Sequence, residues 1–244
     1  MFTATAFSSQ DIVRDGLVLW LDANDKTSYP GTGTEWRDLS LGENTGTLTN
    51  GPTFDSANGG SIVFDGVNDF TNFGDVLDLG TNDCTISTWL KINSSWSSGY
   101  RCPISKAFFG PQNYRYAILI SPSTRNLAGF LQGNGGADII PLTVNTLNLN
   151  QWYMCTMVIN RDSNIQLYIN GILQTLTGNT TISQWNGLNF QSPNPFRIGS
   201  YTFSDNITPN LNFPGNISQT LMYFRALSSS EILQNYNATK NRYL

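Results

Sequence analysis

The chain reads as short apolar or alternating runs, each closed by a turn. Leu17-Val18-Leu19-Trp20-Leu21 is a continuous apolar run ended by Asp22-Ala23-Asn24-Asp25. Ser61-Ile62-Val63-Phe64 stops at Asp65-Gly66. Over 84–92, Cys84, Ile86, Thr88, Leu90 and Ile92 fall on one side and Thr85, Ser87, Trp89 and Lys91 on the other. That period of two is what a strand imposes on its side chains. Tyr114–Ile120 and Leu127–Leu131 are further strand candidates. β-Branched and aromatic runs between Gly, Asn, Asp and Pro clusters suit a pleated, half-buried surface.

The most complete local unit is 152–176. Trp152–Ile159 predicts a strand, Arg161–Asn164 a turn and Ile165–Ile169 a second strand. Asn170-Gly171 predicts a two-residue type I′ hairpin, because both central residues of that turn need positive φ. Ile172–Leu176 then returns as the third strand of an antiparallel meander. One helix is predicted, near the C-terminal end. Ser228 as N-cap and Glu231 at N3 make a capping box, and Ile232, Leu233 and Tyr236 fall on one helical stripe. A helix this short needs a sheet to dock on. No linker, charge block or repeat divides the chain. The expectation is therefore all-β: a two-sheet antiparallel β-sandwich with one short C-terminal helix, an arm over 1–12 and a single domain over 13–244.

Composition narrows the chemistry. With 244 residues, 39% of them hydrophobic, the chain can bury a sizeable core. Charged residues are only 12%, so Asn, Ser, Thr, Gln and Gly must supply the polar surface. A net charge of −4 predicts no nucleic-acid partner, and no apolar run reaches the roughly 18 residues of a membrane span, so no membrane partner is predicted either. The first ten residues carry neither a basic segment nor an adequate apolar core, so no secretory leader is expected. Asn-x-Ser/Thr sequons at Asn93, Asn179, Asn206, Asn216 and Asn237 then reflect composition rather than glycosylation.

The absence of histidine removes Ser-His-Asp and Cys-His catalysis, His-ligated zinc and any imidazole base. Glutamate occurs only at Glu35, Glu43 and Glu231, and no Glu-x-Asp-x-x-Glu pattern offers the facing carboxylates of a glycosidase. No enzymatic activity is expected. Cys84, Cys102 and Cys155 are odd in number and lack CxxC spacing. They read as buried thiols, the alternative being one disulfide and a free thiol.

Aromatic faces combined with Asn, Gln and Asp side chains are the chemistry of sugar recognition. The aromatics least explained by strand pattern are Trp96, Tyr100, Phe108, Phe109, Tyr114 and Trp185. Three of them lie in two loop-like stretches, Trp96-Ser97-Ser98-Gly99-Tyr100 and Ser183-Gln184-Trp185-Asn186-Gly187. Trp96, Tyr100, Tyr114 and Trp185 form the candidate glycan-binding set; the competing reading is that each plugs an end of the sandwich. Trp20, Trp89 and Trp152 are assigned to core or sheet packing, and Trp36 to pinning the long early loop. Asp65, Asn68 and Asp69 offer hard oxygens for a structural calcium ion. The same residues equally describe an Asp-Gly turn whose side chains bond their own backbone.

The order of these pieces resembles the laminin-G-like branch of the concanavalin-A-like jelly rolls over roughly residues 15–240. Gly16-Leu17-Val18-Leu19-Trp20-Leu21-Asp22 is similar to that family's first strand. Trp36-Arg37-Asp38-Leu39-Ser40 with Asn44-Thr45-Gly46 resembles its early turn, and Phe64-Asp65-Gly66-Val67-Asn68-Asp69-Phe70 its F-D-G-x-N-D-Y segment. Thr85–Leu90, Trp152 through Ile169-Asn170-Gly171, and Pro214–Ile217 with Tyr223–Ser228 and Glu231-Ile232 resemble later pieces in the same order. An acidic pair that follows Gly-x-Ile in the family, and helps hold calcium there, is replaced by Ser218 and Gln219. The opening Asp22-Ala23-Asn24-Asp25 with Ser28-Tyr29-Pro30-Gly31 resembles modules on bacteriophage virions. The resemblance implies a non-enzymatic virion structural or adhesion module of capsid-decoration, head-fibre or tail-fibre type. Its partners would be other virion proteins or itself, as a homotrimer, together with cell-surface glycan. The alternative is a free-standing extracellular carbohydrate-binding protein or glycan hydrolase.

Overall fold

The computed structural model describes residues 11–94, 96, 98–107, 114–133, 137–202 and 209–244. Two antiparallel sheets stack face to face. One has eight strands. Along it lie Ile172–Leu173, Ile165–Ile169, Trp152–Ile159, Cys84–Ile92, Pro214–Tyr223, Ser61–Asp65 and Thr53–Asp55, with Leu17–Asp22 also paired to Pro214–Tyr223. The other has nine, running Leu176–Thr177, Leu142–Thr146, Asn126–Gln132, Arg115–Ile120, Arg101–Lys106, Phe196–Ile198, Phe70–Asn72, Gly46–Thr49 and Glu35–Trp36. A two-stranded ribbon of Tyr201–Thr202 and Pro209–Asn210 stands beside it. The fold is the expected all-β sandwich with one C-terminal helix.

The period of two in the sequence builds the core between the sheets. Cys84, Ile86, Leu90 and Ile92 point inward with Leu19, Leu21, Ile62, Phe64, Met157 and Leu167. They meet Ile104, Tyr116, Ile118, Ile120, Leu127, Phe196 and Ile198 from the second sheet. The opposite side of Cys84–Ile92 is buried as well. Trp89 joins Trp152, Met154, Val158, Tyr168, Leu221 and Tyr223 in a second cluster on the outer face, under Ile12, Val13, Ile232 and Tyr243. Trp89 stacks on Tyr243 at 4.1 Å between centroids, and its indole N–H donates to Thr239 Oγ1 at 2.8 Å. Trp36 is fully buried and Trp20 half-buried, with the Arg14 guanidinium 4.0 Å above its ring.

Two local expectations need correction. Asn170 (φ 53°) and Gly171 (φ 78°) form the type I′ hairpin, but the return strand breaks after Leu173. Leu176–Thr177 pairs with Leu142–Thr143 of the other sheet instead. A strand that changes sheets covers an edge whose backbone groups would otherwise stand open. The helix, Ser229–Thr239, has the predicted capping box: Ser228 Oγ accepts from the Glu231 amide and Glu231 Oε2 from the Ser228 amide. Its buried residues, however, are Ile232, Asn235 and Thr239, while Leu233 is 44% exposed. Steps of three and four from Ile232 lead to Asn235, Tyr236 and Thr239, so Leu233 lies about 100° off the stripe. Asn235 docks by hydrogen bonds, accepting from the Val13 amide at 2.8 Å and donating to the Tyr223 hydroxyl at 3.1 Å. The N-terminal arm predicted over 1–12 lies outside the described residues up to position 10, and Ile12 is buried beneath this helix cluster.

Candidate functional site

The structure does not gather the four candidate aromatics into one place. Trp96 is half-buried against the inter-sheet core; its indole N–H donates to the Gly99 carbonyl at 3.0 Å, and the Arg101 guanidinium lies 5.4 Å from its centroid. Its own carbonyl accepts from the Ser123 amide, just past the Ile120 end of the strand Arg115–Ile120. Tyr114 sits at the other end of that strand. There it stacks on Phe190 at 4.4 Å, and Trp185 meets the same ring edge-on at 6.2 Å. Trp185 is buried and packs over Gly133, where a Cβ would come within 2.6 Å of the indole nitrogen. Buried Arg161 holds this end closed by donating to the Trp185 carbonyl at 2.7 Å, the Gly80 carbonyl at 2.8 Å and the Leu188 carbonyl. Tyr114 and Trp185 thus belong to a closed sandwich end. Phe108 and Phe109 lie outside the described residues.

Tyr100 differs. It packs against a third apolar cluster, on the outer face of the nine-stranded sheet. Strand alternation sends Tyr116, Ile118 and Ile120 inward and Arg115, Ala117 and Leu119 outward, and register sets Phe130 opposite Ala117 and Ala128 opposite Leu119. Tyr201 closes on Phe130 edge-on at 6.3 Å, and the Leu211 carbonyl accepts from the Cys102 amide at 2.7 Å, fixing the far wall. Between them lies a pocket of about 130 Å³ lined by Tyr100, Arg115, Leu119, Phe130, Asp138, Ile140, Tyr201 and Leu211. Arg115 is 8% exposed; it donates to the Tyr201 hydroxyl at 3.3 Å, and its Nη2 lies 3.8 Å from Asp138 Oδ1. Burial pushes the Tyr201 phenol up to about 12, with the charge of Arg115 pulling the other way, so it stays protonated at neutral pH. The pocket therefore has apolar and aromatic walls with one cation and one carboxylate at its rim.

The acidic segment takes the form of the Asp-Gly turn. Asp65 Oδ1 accepts from the amides of Val67 (2.8 Å), Asn68 (3.3 Å) and Asp69 (3.4 Å), and Asp69 Oδ2 accepts from the Asp65 amide at 3.1 Å. Burial, with the Asp65 charge adding to it, raises the Asp69 pKa. A calcium shell of six to eight oxygens would have to replace these bonds. Among the described residues no group of three or more His, Cys, Asp or Glu is placed to hold a metal ion. Ser218 and Gln219 serve a clasp. Ser218 Oγ donates to the Gly60 carbonyl at 2.6 Å and accepts from the Tyr243 hydroxyl at 2.8 Å. Gln219 Nε2 donates to Asp22, which Arg242 grips with two bonds of 2.7 and 2.8 Å.

A family model described as the concanavalin A-like lectin/glucanases superfamily, of laminin-G type, matches residues 64–233. The chain belongs to that superfamily. No curated protein matches the sequence. Among solved structures, this concanavalin A-like chain is similar to the binding domain of Paraclostridial Mosquitocidal Protein 1, at 17% identity and TM-score 0.69, over 92% of this chain and 52% of that one. It is also similar to domain 4 of AbnA, an extracellular arabinanase of Geobacillus stearothermophilus solved with arabinotriose, at 17% identity and TM-score 0.64, over 92% of this chain and all of that one. A Trypanosoma rangeli sialidase matches at 16% identity and TM-score 0.63, over 92% of this chain and 33% of that one. The chain thus spans about half of the mosquitocidal binding domain and a third of the sialidase chain. At such identities the likeness is one of fold.

The three cysteines of this concanavalin A-like chain are free and buried, and burial drives each thiol pKa upward. Desolvation of that kind leaves them unreactive rather than nucleophilic. Sequence reasoning missed Arg115, Phe130, Asp138, Tyr201 and Leu211. Only Arg115 left a signal, as a cation opening an otherwise apolar strand.

Proposed function

We propose that this protein is a non-enzymatic attachment module of a virion surface. It holds a cell-surface glycan on the outer face of its nine-stranded sheet and packs against virion proteins or copies of itself. The observation that carries the carbohydrate reading is the pocket in which Tyr100, Phe130, Tyr201 and Leu119 surround a space closed by Arg115 and Asp138. Aromatic and aliphatic walls take the C–H faces of a sugar, and a few placed polar groups fix its orientation. Among the described residues lining it Asp138 is the single carboxylate, whereas glycoside hydrolysis uses two carboxylates about 5–10 Å apart. The fold also occurs in domains named for binding, and in one solved with arabinotriose.

The packing role is supported by the sheet edge. There Ile172 (65% exposed), Leu173 (52%) and Val144 (56%) carry apolar side chains into solvent, beside Leu233 of the helix. Exposed apolar edges of this kind mark contact surfaces. A glycan array, run beside a reducing-sugar release assay, tests the reading. Selective binding that is lost in Tyr100→Ala, without release of sugar, is expected. Release of sugar by the purified chain, or an array without any bound glycan, overturns it.

A further inference from the structure

The walls of the outer-face pocket differ from one end to the other. Leu119, Phe130, Ile140 and Leu211 are apolar. Arg115 and Asp138 close one end: Arg115 stands four residues before Leu119 on the same face of its strand, and the Asp138 carboxylate lies 3.8 Å from its Nη2. Tyr100 enters at the opposite end, since Arg101 pairs with Ile120. The volume of about 130 Å³ falls below the roughly 300 Å³ at which pockets begin to enclose a whole small ligand. The pocket is thus sized for one substituent, with the body of the ligand outside.

The chemistry of the walls restricts that substituent. Its tip must be apolar. Beside the tip it must offer one acceptor and one donor, because a guanidinium only donates and an ionised carboxylate only accepts. At 3.8 Å the Arg115–Asp138 pair is attracted but exceeds hydrogen-bond length. A bare hydroxyl lacks the apolar tip. A carboxylate would face Asp138 with like charge, and an ammonium would face Arg115 likewise. An acetamido group carries methyl, carbonyl and N–H in the required arrangement.

We propose that this pocket takes the acetamido group of an N-acetylhexosamine. Its carbonyl oxygen accepts from Arg115, its N–H donates to Asp138, its methyl lies on the apolar floor, and the C–H face of the sugar ring rests against Tyr100. The assignment rests on the carbohydrate reading above and adds the identity of the recognised group. Saturation-transfer NMR and titration of the full chain with N-acetylglucosamine, N-acetylgalactosamine, glucose and galactose test it. The acetyl methyl is expected to show the strongest transfer. The two unsubstituted hexoses are expected to bind about tenfold more weakly, the scale of a hydrogen bond to a charged group. Asp138 is half exposed, so Asp138→Ala should melt as the parent does while losing about tenfold in affinity for the N-acetyl sugars. Equal binding of glucose or galactose overturns the acetamido assignment and leaves the carbohydrate reading standing. N-acetyl sugars that bind with unchanged affinity to both Asp138→Ala and Tyr100→Ala overturn the location. Failure of every sugar here, with an empty array, overturns both.

Discussion

Single side chains decide how the helix is tied to the sandwich. Glu231 accepts from the Ser228 amide and pairs with Arg225 through bonds of 3.1 and 2.6 Å. The Arg225 guanidinium, with the Ser228 bonds adding to it against some desolvation, holds the Glu231 carboxyl down at about 2. A depressed carboxyl pKa contributes stability that is complete above the unfolded value near 4.5 and is lost as pH falls toward 2. Glu231→Gln should therefore cost about 0.5–2 kcal/mol at neutral pH, the range of a lost cap and a partly exposed ion pair. The gap between parent and variant should close between pH 4.5 and pH 2. Denaturant melts at pH 7, 4 and 2 check this; a gap that stays constant across them would remove the role given to this carboxylate. The cap was legible in the sequence because capping is local chemistry over four residues. The pocket was not, because Arg115, Asp138 and Tyr201 lie far apart in the chain and meet only through sheet register.

At the scale of elements, the hairpin between Ile165–Ile169 and Ile172–Leu173 is both a turn and a seat for the helix. Gly171 has φ of 78°, and a Cβ there would lie 3.1 Å from Leu233 Cδ1 and 3.2 Å from Tyr236 Cβ. Gly187 has a similar φ of 75° with nothing within 4 Å. Both alanine variants carry the left-handed backbone penalty of roughly 1–2 kcal/mol, but only Gly171→Ala also presses on the helix. Gly171→Ala should melt lower than Gly187→Ala, by a few degrees for a chain of this length. Identical melting of the two by calorimetry would mean that the helix yields without cost. Strands with strong alternation, such as Cys84–Ile92, were readable end to end. Arg101–Lys106, Phe196–Ile198 and Leu142–Thr146 were not, because charged, polar or short stretches become strands only when neighbouring strands pair with them. The sheet change after Leu173 escaped for the same reason: Leu176–Thr177 is placed by Leu142–Thr143, not by its own sequence.

At the scale of the whole molecule, the sandwich has one outer face covered and the other bearing an open pocket. The eight-stranded sheet hides Trp89, Trp152, Tyr168 and Leu221 beneath the helix, the residues around Ile12 and Val13, and the tail at Tyr243. Side-chain ties to the strands keep that cover shut, among them Asn235 to Tyr223, Thr239 to Trp89, Arg242 to Asp22 and Tyr243 to Ser218. The nine-stranded sheet instead carries Tyr100, Phe130 and Tyr201 around an open pocket. An aromatic face that is not sealed would itself be a contact surface, so the cover leaves the nine-stranded sheet as the face for the proposed recognition. Ile232 is the fully buried apolar anchor of the cover. Ile232→Asp places an unpaired charge there and should undock the helix, lowering stability by several kcal/mol while the inter-sheet core stays paired. Far-UV circular dichroism should keep its sheet signal, binding of a hydrophobic dye should rise as Trp89 and Trp152 are uncovered, and protease should cut within 229–239. The sugar binding proposed at Tyr100 should survive, because the two outer-face clusters share no described residue. Loss of that binding together with the helix would show that the faces are coupled through the core and that the outer pocket is not an independent site.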